Sequence, residues 1–537
     1  GELPRDTAAR WHDRLLWAAF PGLPSAGALQ RELAWSSYGT LASVTFDEYR
    51  GVRLLGQGGS YRFIHGLDGA IGDLALFADA VLFLDPALAE DTLIYCLTSQ
   101  HGSLGDRANR YPYATTGVGE FSDVGIYHQR SDAYWLLPTS AALLVAATRR
   151  SAFLAREVAF WPQHAGETGT VLEHLSRSLD YAEDVLGYGA RGLPAMGTND
   201  YADGVLAFAD EPTTPTGTSS VFNALFAVRG FPLAEGVLRP HDAALSTRLS
   251  AIVTAQRAAI EAGAWDPVGG RYHRGFVDSG NPLAPDYLFV EPQVLPILSG
   301  LVDDARRDAL LDLVNARFET PLGAMTTVGF DGAGPGGIDQ PQVGGVWPVA
   351  SAWVTEALAR RNPSDGWSSL LRNTLAQHAT LYPEIWYGIW TGPDSYNGPD
   401  HPRAGEADAH LATALTDYPA LNVHVHLGPI RALTGLLGIE PRAEGLRIDP
   451  RVPTESFAVR FPMLALSWSP DRVEIEYVPG ATDTWVLEVA LPSGLSTPGP
   501  VLAEVDGVST PVTVVGGFAR VSLAVTTGLR TTVTFHR

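Results

Sequence analysis

Apolar residues recur at three- and four-residue spacing through most of the first 440 positions, the period of a helix that buries one face. Twelve segments carry the pattern: 29–44, 71–83, 88–98, 133–148, 171–186, 219–226, 242–262, 287–301, 305–316, 350–360, 367–381 and 425–437. Loops rich in Gly and Pro separate them. A dozen amphipathic helices suit a ring of helical hairpins, inner packed on outer, whereas a parallel α/β fold needs interleaved β-branched strands that the pattern lacks before about residue 440. After Leu446 the period changes to two. Short alternating runs, FAVRF, RVEIEYV, TWVLEVAL and TTVTFH, are punctuated by Pro and Gly and predict an antiparallel β-sandwich. The Pro/Thr-rich patch EPTTPTGTSS, Glu211 to Ser220, reads as a loop or lid.

Composition narrows the chemistry. A chain of 537 residues with 45% hydrophobic content can bury a large core, and its length suggests two to three domains. All 37 basic residues are arginine, so Schiff-base chemistry and a lysine-dependent P-loop are excluded. The formal charge of −22 disfavours nucleic acid, anionic membranes and polyanionic substrates, while neutral sugars remain compatible. The single Cys96 cannot form an intramolecular disulfide, and no run of eighteen apolar residues marks a membrane span. The start GELPRDTAAR, without Met, reads as a processed or engineered end. Compartment and oligomeric state stay open.

The richest chemical signal lies in GLPAMGTNDYADG, Gly192 to Gly204, where Asp200 and Asp203 sit among glycines beside an aromatic ring. Two acids three residues apart can be pushed to different pKa values, one protonated and one charged. A polar turn with Asp200 as a helix cap explains the same residues.

Four further tracts select between these readings. RSDAYWLLP (from Arg130) precedes the acidic loop; GGVWP (from Gly344) and GPDHPR (from Gly398) follow it, and LLGIEPRAEGLRIDPRVP (from Leu436) leads into the alternating region. RSDAYWLLP, the acidic loop, GGVWP and GPDHPR resemble, in order, the cellobiose and chitobiose phosphorylase family, whose tracts read roughly ISDDLLWLP, GGDWNDG, ENGGVWPHANAW and AGPDHPRFG, and the C-terminal run is close to that family's passage from its last barrel helix into its β domain. The resemblance runs from about Leu29 to about Ile475. It implies a mainly α fold, an (α/α)6 barrel over about residues 25–440 after an N-terminal segment 1–24, with a C-terminal β-sandwich over 441–537. No cofactor and no metal are expected. In that family a carboxylic acid protonates the leaving oxygen while phosphate attacks the anomeric carbon with inversion. By position the acid is Asp203, with Asp200 and Tyr201 holding it; the family's tryptophan and asparagine are Tyr201 and Ala202 here. Arg62, Asp68 and Asp73 fall where the family grips the sugar, and Arg130 and Asp132 in its pocket-lining tract. Helix starts with acidic first turns are the alternative, and the resemblance favours the site for Asp132.

The departures change the expected reaction. The family's glutamate and phosphate-contacting histidine become Gln342 and Val349 on either side of Trp347, and its threonine-glycine pair aligns with Asn422 and Val423. Near the family's glutamine stands Asp394. Valine offers phosphate no donor, and an added carboxylate repels it and can deprotonate water. The sequence therefore predicts an inverting glycoside hydrolase acting on a neutral oligosaccharide or glycoside, with Asp394, or else Glu384, as general base. Trp386, Tyr387 and Trp390 suit stacking on pyranose faces, and core packing equally. Phosphorolysis at a rebuilt phosphate site and sugar binding without catalysis are the rival readings. A metal at His424 and His426 is disfavoured, since an HxH pair on a helix points two ways and no third ligand is evident.

Overall fold

The computed structural model describes residues 3–58, 69–115, 121–122, 129–202, 204–329, 344–407, 422–496 and 499–537. Its helices, among the described residues, are α1 (Leu3–His12), α2 (Ala26–Ala42), α3 (Ile71–Val81), α4 (Pro86–Leu97), α5 (Asp132–Thr148), α6 (Val171–Asp180), α7 (Val221–Leu238), α8 (Ala243–Gly263), α9 (Glu291–Leu298), α10 (Asp304–Arg317), α11 (Pro348–Arg361), α12 (Pro363–Arg372), α13 (Leu375–Leu381), α14 (Pro383–Trp386) and α15 (His424–Leu436). Each of the twelve periodic segments corresponds to one of them, or to two in the case of 367–381.

Six helices pack in a closed ring: α3 on α5, α5 on α7, α7 on α9, α9 on α11, α11 on α15, and α15 back on α3. A second helix backs each of them: α4 on α3, α6 on α5, α8 on α7, α10 on α9, α12 on α11 and α2 on α15. Composition sorts the two layers. Fifteen of the seventeen residues of α5 are buried, but only six of twenty-one in α8 and three of fourteen in α10. A helix apolar all round belongs inside, and one with a single apolar stripe belongs outside. α7 is also long and apolar enough to cross a membrane by composition alone, yet most of it is buried in the ring.

α7 runs twelve residues beyond the predicted end at Phe226, through Pro232. Packing against α5, α8 and α9 outweighs the hydrogen bond the proline removes. Strands also occur before residue 440, as two- and three-stranded ladders. Several stand directly before an inner helix: Gly69–Ala70 before α3, Ser219–Ser220 before α7, Tyr287–Phe289 before α9 and Gly345–Val346 before α11. No parallel sheet forms there among the described residues.

After α15 the chain builds two sheets, one of seven strands and one of five. Inward residues alternate along them, as in Asp483–Ala490, where Trp485, Leu487 and Val489 are buried. Two details differ from the expected pattern. Gly445–Ile448 pairs parallel with Val486–Val489, and Trp17–Ala19, from the N-terminal segment, adds an antiparallel edge strand beside Phe457–Arg460.

Candidate active site

The N-terminal ends of the inner helices converge on one cluster. Asp73 lies in the first turn of α3, Asp132 opens α5, Trp347 precedes α11 and His424 opens α15. Helix N-termini favour anionic groups, which helps hold Asp73 and Asp132 there. Arg130 Nε donates to Asp132 Oδ1 at 3.0 Å, and its Nη2 lies 3.0 Å from Asp132 Oδ2 and 3.8 Å from Asp73 Oδ2. Nη2 also donates to the Tyr201 carbonyl at 3.3 Å. Burial raises the Asp132 pKa from its ordinary value, with Arg130 opposing. Gly72 makes this approach possible, since a Cβ there would collide with the Asp132 carboxylate.

Asp394 faces this group across the ring. Gln57 Nε2, Trp347 Nε1 and Asn422 Nδ2 donate to its Oδ1 at 3.3, 3.3 and 3.2 Å, and His424 Nε2 lies 3.5 Å from the same oxygen. Oδ2 has no hydrogen-bond donor among the described residues. The side chain is 17% exposed. Burial pushes its pKa up to about 6 against the pull of the three donors. His424 is wholly buried and stands between Asp394 and Asp73, 3.7 Å from Asp73 Oδ1. Desolvation, then repulsion from Arg431 and Arg130, lowers its pKa to about 3, so the imidazole is neutral.

Tyr201 forms the floor. Its ring is wholly buried, stacked between Phe222 at 5.1 Å and Trp347 at 4.5 Å, with Trp353 tilted against it at 5.5 Å. Its hydroxyl has no hydrogen-bond partner among the described residues. Burial raises the phenol pKa well above the ordinary value, so the group stays neutral.

Asp200, expected to help hold Asp203, is engaged by other groups. It is fully buried, and Arg274 grips both carboxylate oxygens at 2.5 and 2.8 Å while Ser220 Oγ and the Ala202 amide donate at 2.5 and 3.1 Å. With both oxygens doubly occupied, no acceptor site remains for a hydroxyl. The pair instead ties the acidic loop to the chain ahead of Gly275. Arg62, Asp68, Asp203 and Gln342 lie outside the described residues.

The aromatic run is dispersed. Trp386 is buried in a satellite cluster against Tyr396, its Nε1 donating to the Gly405 carbonyl at 2.6 Å, so it is core and no stacking platform. Tyr387 is 83% exposed and Trp390 57% exposed. Glu384 is exposed in the first turn of α14, with no hydrogen bond or ion pair among the described residues.

Some residues at the cluster escaped the sequence reading. Gln57 sits in no pattern that singles it out. Glu291 opens α9, is 1% exposed, has an unpaired Oε2, and is pushed by burial to about 7. An acid at the start of an apolar helix, the position that Asp132 also takes, was the available signal. Among the described residues, no three His, Cys, Asp or Glu side chains are grouped to hold a metal ion; His426 contacts Thr391 on another face.

A model of the glycosyl hydrolase 94 superfamily catalytic domain matches residues 86–330. A 3-O-beta-D-glucopyranosyl-beta-D-glucuronide phosphorylase of Paenibacillus borealis is 26% identical over 66% of this chain and 43% of its own length. An N,N'-diacetylchitobiose phosphorylase of Vibrio proteolyticus is 23% identical over 60% and 40%. The chain resembles this family, and it spans less than half the length of these relatives. A GH78 family rhamnosidase of Bacillus sp. GL1 superposes with a TM-score of 0.54 at 15% identity, over 87% of this chain and 40% of that one. A glycosidase variant covers 77% of this chain and 99% of its own at a TM-score of 0.51 and 14% identity. These two share the fold over the parts they cover.

Proposed function

We propose that this chain, which resembles the glycosyl hydrolase 94 superfamily, is an inverting glycoside hydrolase whose general base is Asp394 and whose general acid is Asp203. Residues 25–440 are read as an (α/α)6 barrel, six inner and six outer helices, and 441–537 as a β-sandwich. The substrate is a neutral oligosaccharide or glycoside, lodged at the N-terminal mouth of the ring.

The observation that carries the reading is the Asp394 carboxylate. One oxygen is fixed by three donors and the other has no donor among the described residues, on a group that burial brings to about 6. A base must be mostly ionised at the working pH yet basic enough to take a proton from water, and a pKa near 6 meets both conditions. The surroundings disfavour phosphate. His424, beside Asp394 and Asp73, is neutral and offers phosphate no positive charge. Arg130 and Asp132 are placed to bind sugar hydroxyls in paired hydrogen bonds, and Trp347 and Tyr201 wall the floor. In the reaction water attacks the anomeric carbon, Asp394 takes its proton, and Asp203 protonates the departing oxygen.

Phosphorolysis is the second reading, favoured by what the curated relatives are. A panel of disaccharides and aryl glycosides, assayed with and without phosphate and with the product anomer followed by NMR, separates the two. Hydrolysis predicts phosphate-independent turnover with inversion; a strict phosphate requirement overturns it. Asp203→Asn should cost poor leaving groups far more than activated aryl groups, which need little protonation. Equal losses would remove Asp203 from the acid's role.

A further inference from the structure

At the opposite end of the ring, where α3, α7, α9, α11 and α15 finish, a cavity of about 1180 Å³ opens beneath the turn that joins α15 to the first β-sandwich strands. It is separated from the carboxylate cluster by the aromatic floor of Tyr201, Phe222, Phe226 and Trp353. Seven arginines and four carboxylates line it, an excess of positive charge in a chain whose formal charge is −22. Its rim is wet, since the Arg239 side chain is 65% exposed.

Arginines at helix C-termini commonly balance the partial negative charge of the last carbonyls. Arg360 does so, donating to the Ile297 carbonyl in the last turn of α9 at 3.1 Å. Arg229 and Arg431 do not. They lie in the middle of α7 and α15 and reach the cavity from inside the ring. Arg229 Nη2 donates to Glu356 Oε2 at 2.9 Å, and Arg360 Nη2 donates to Glu356 Oε1 from the other side at 3.2 Å. Arg431 makes no hydrogen bond or ion pair among the described residues and rests on the Trp353 ring at 5.3 Å. Facing it, Asp79 has a buried Oδ1 with no hydrogen-bond partner among the described residues. A guanidinium presents five donors in a planar fork, and leaving it unmatched is costly unless something else accepts from it.

We propose that this cavity binds a phosphate dianion, free or as the monoester of a sugar-sized molecule, with Arg431 as its principal fork and Arg229 and Arg451 beside it. Arginine forks fit phosphate oxygens in pairs, and the volume exceeds what inorganic phosphate alone fills. Such a ligand would bridge the helical ring and the turn into the β-sandwich.

The test measures melting temperature and calorimetric binding for glucose 6-phosphate, inorganic phosphate and glucose. The phosphorylated ligands should raise the melting temperature at about 10 mM and glucose should not, because only a ligand that binds the native state stabilises it. A tighter monoester assigns the sugar phosphate as ligand; equal affinities assign free phosphate. Arg431→Gln should weaken binding at least about tenfold. Thr434→Trp, one turn along α15, fills the cavity without removing charge and should abolish binding while hydrolysis of aryl glycosides stays within about twofold. It also serves if Arg431→Gln folds poorly. No stabilisation by either phosphate, or binding that survives Thr434→Trp, overturns the proposal.

Discussion

The two mouths of the helical ring are built from opposite charges on one scaffold. At the N-terminal mouth burial drives Asp132 and Asp394 towards protonation. At the C-terminal mouth Glu356 lies between Arg229 and Arg360 and is held down at about 2, against the desolvation that would raise it. Burial is similar: the Asp394 side chain is 17% exposed and that of Glu356 is 16% exposed. What differs is the neighbour. Neutral amide and indole donors leave a carboxylate reactive, whereas two guanidinium groups quench it. The contrast separates a site that spends stability on chemistry from a cluster that gains stability by pairing.

The largest expected effect is at Asp394. Asp394→Asn should lower turnover about a thousandfold on activated and unactivated glycosides alike, since the base acts whatever the leaving group. The wild-type rate should rise with pH through about 6 as Asp394 ionises. A rate that falls through that window would make Asp394 the acid. If Asp394→Asn keeps near wild-type turnover and Glu384→Gln abolishes it, the exposed Glu384 is the base and the N-terminal mouth is misread.

Next in size are two stability changes of opposite sign. Glu356 is depressed from 4.5 to about 2, so it contributes about 3 kcal/mol above pH 4.5, lost as pH falls from there through 2. Glu356→Gln should forfeit that at neutral pH. Asp394 is raised from 3.8 to about 6, so stability is lost as pH rises from near 4 through 6, again by about 3 kcal/mol. Asp394→Asn should therefore stabilise the protein at pH 7 and not at pH 3.5. Denaturant melts at both pH values check the pair. If both variants destabilise equally at pH 7, the two mouths do not differ in the way argued.

The layers of the fold were legible because helical period survives in a single sequence. Inner and outer helices differ in how far round the apolar face extends, as α5 and α10 illustrate. What stayed hidden depends on contacts distant in sequence. No local signal says that α7 continues past Pro232, or that Trp17–Ala19 joins a sheet more than 400 residues later. At the site, the tract around Arg130 and Asp132 led to residues that do meet in space, and the departures from the family pattern pointed to Asp394 and Asn422, which are hydrogen-bonded. The aromatic run divides for a physical reason. Trp386 is core because its side of α14 meets Tyr396, while Tyr387 and Trp390 beyond the helix are exposed, and residue type does not report that. Asp200 likewise shows its role only through Arg274, seventy-four residues away.

The smallest effect sharpens the comparison most. If neutral donors are what keep Asp394 usable as a base, removing one should make it more basic without disabling it. Asn422 Nδ2 gives one of three hydrogen bonds to Asp394 Oδ1, and each such bond favours the charged form. Asn422→Ala should move the rising limb of the pH–rate profile to higher pH by roughly half a unit, with the plateau rate changed by less than about threefold. Gln57→Ala should act in the same direction, because its Nε2 meets the same oxygen. A plateau that collapses with the limb unmoved would mean that Asn422 positions the carboxylate and leaves its basicity to burial alone. A limb that moves to lower pH would mean that water entering the gap solvates the carboxylate better than the amide does, and that desolvation, the largest contribution to the raised pKa, is set by the fit of Asn422.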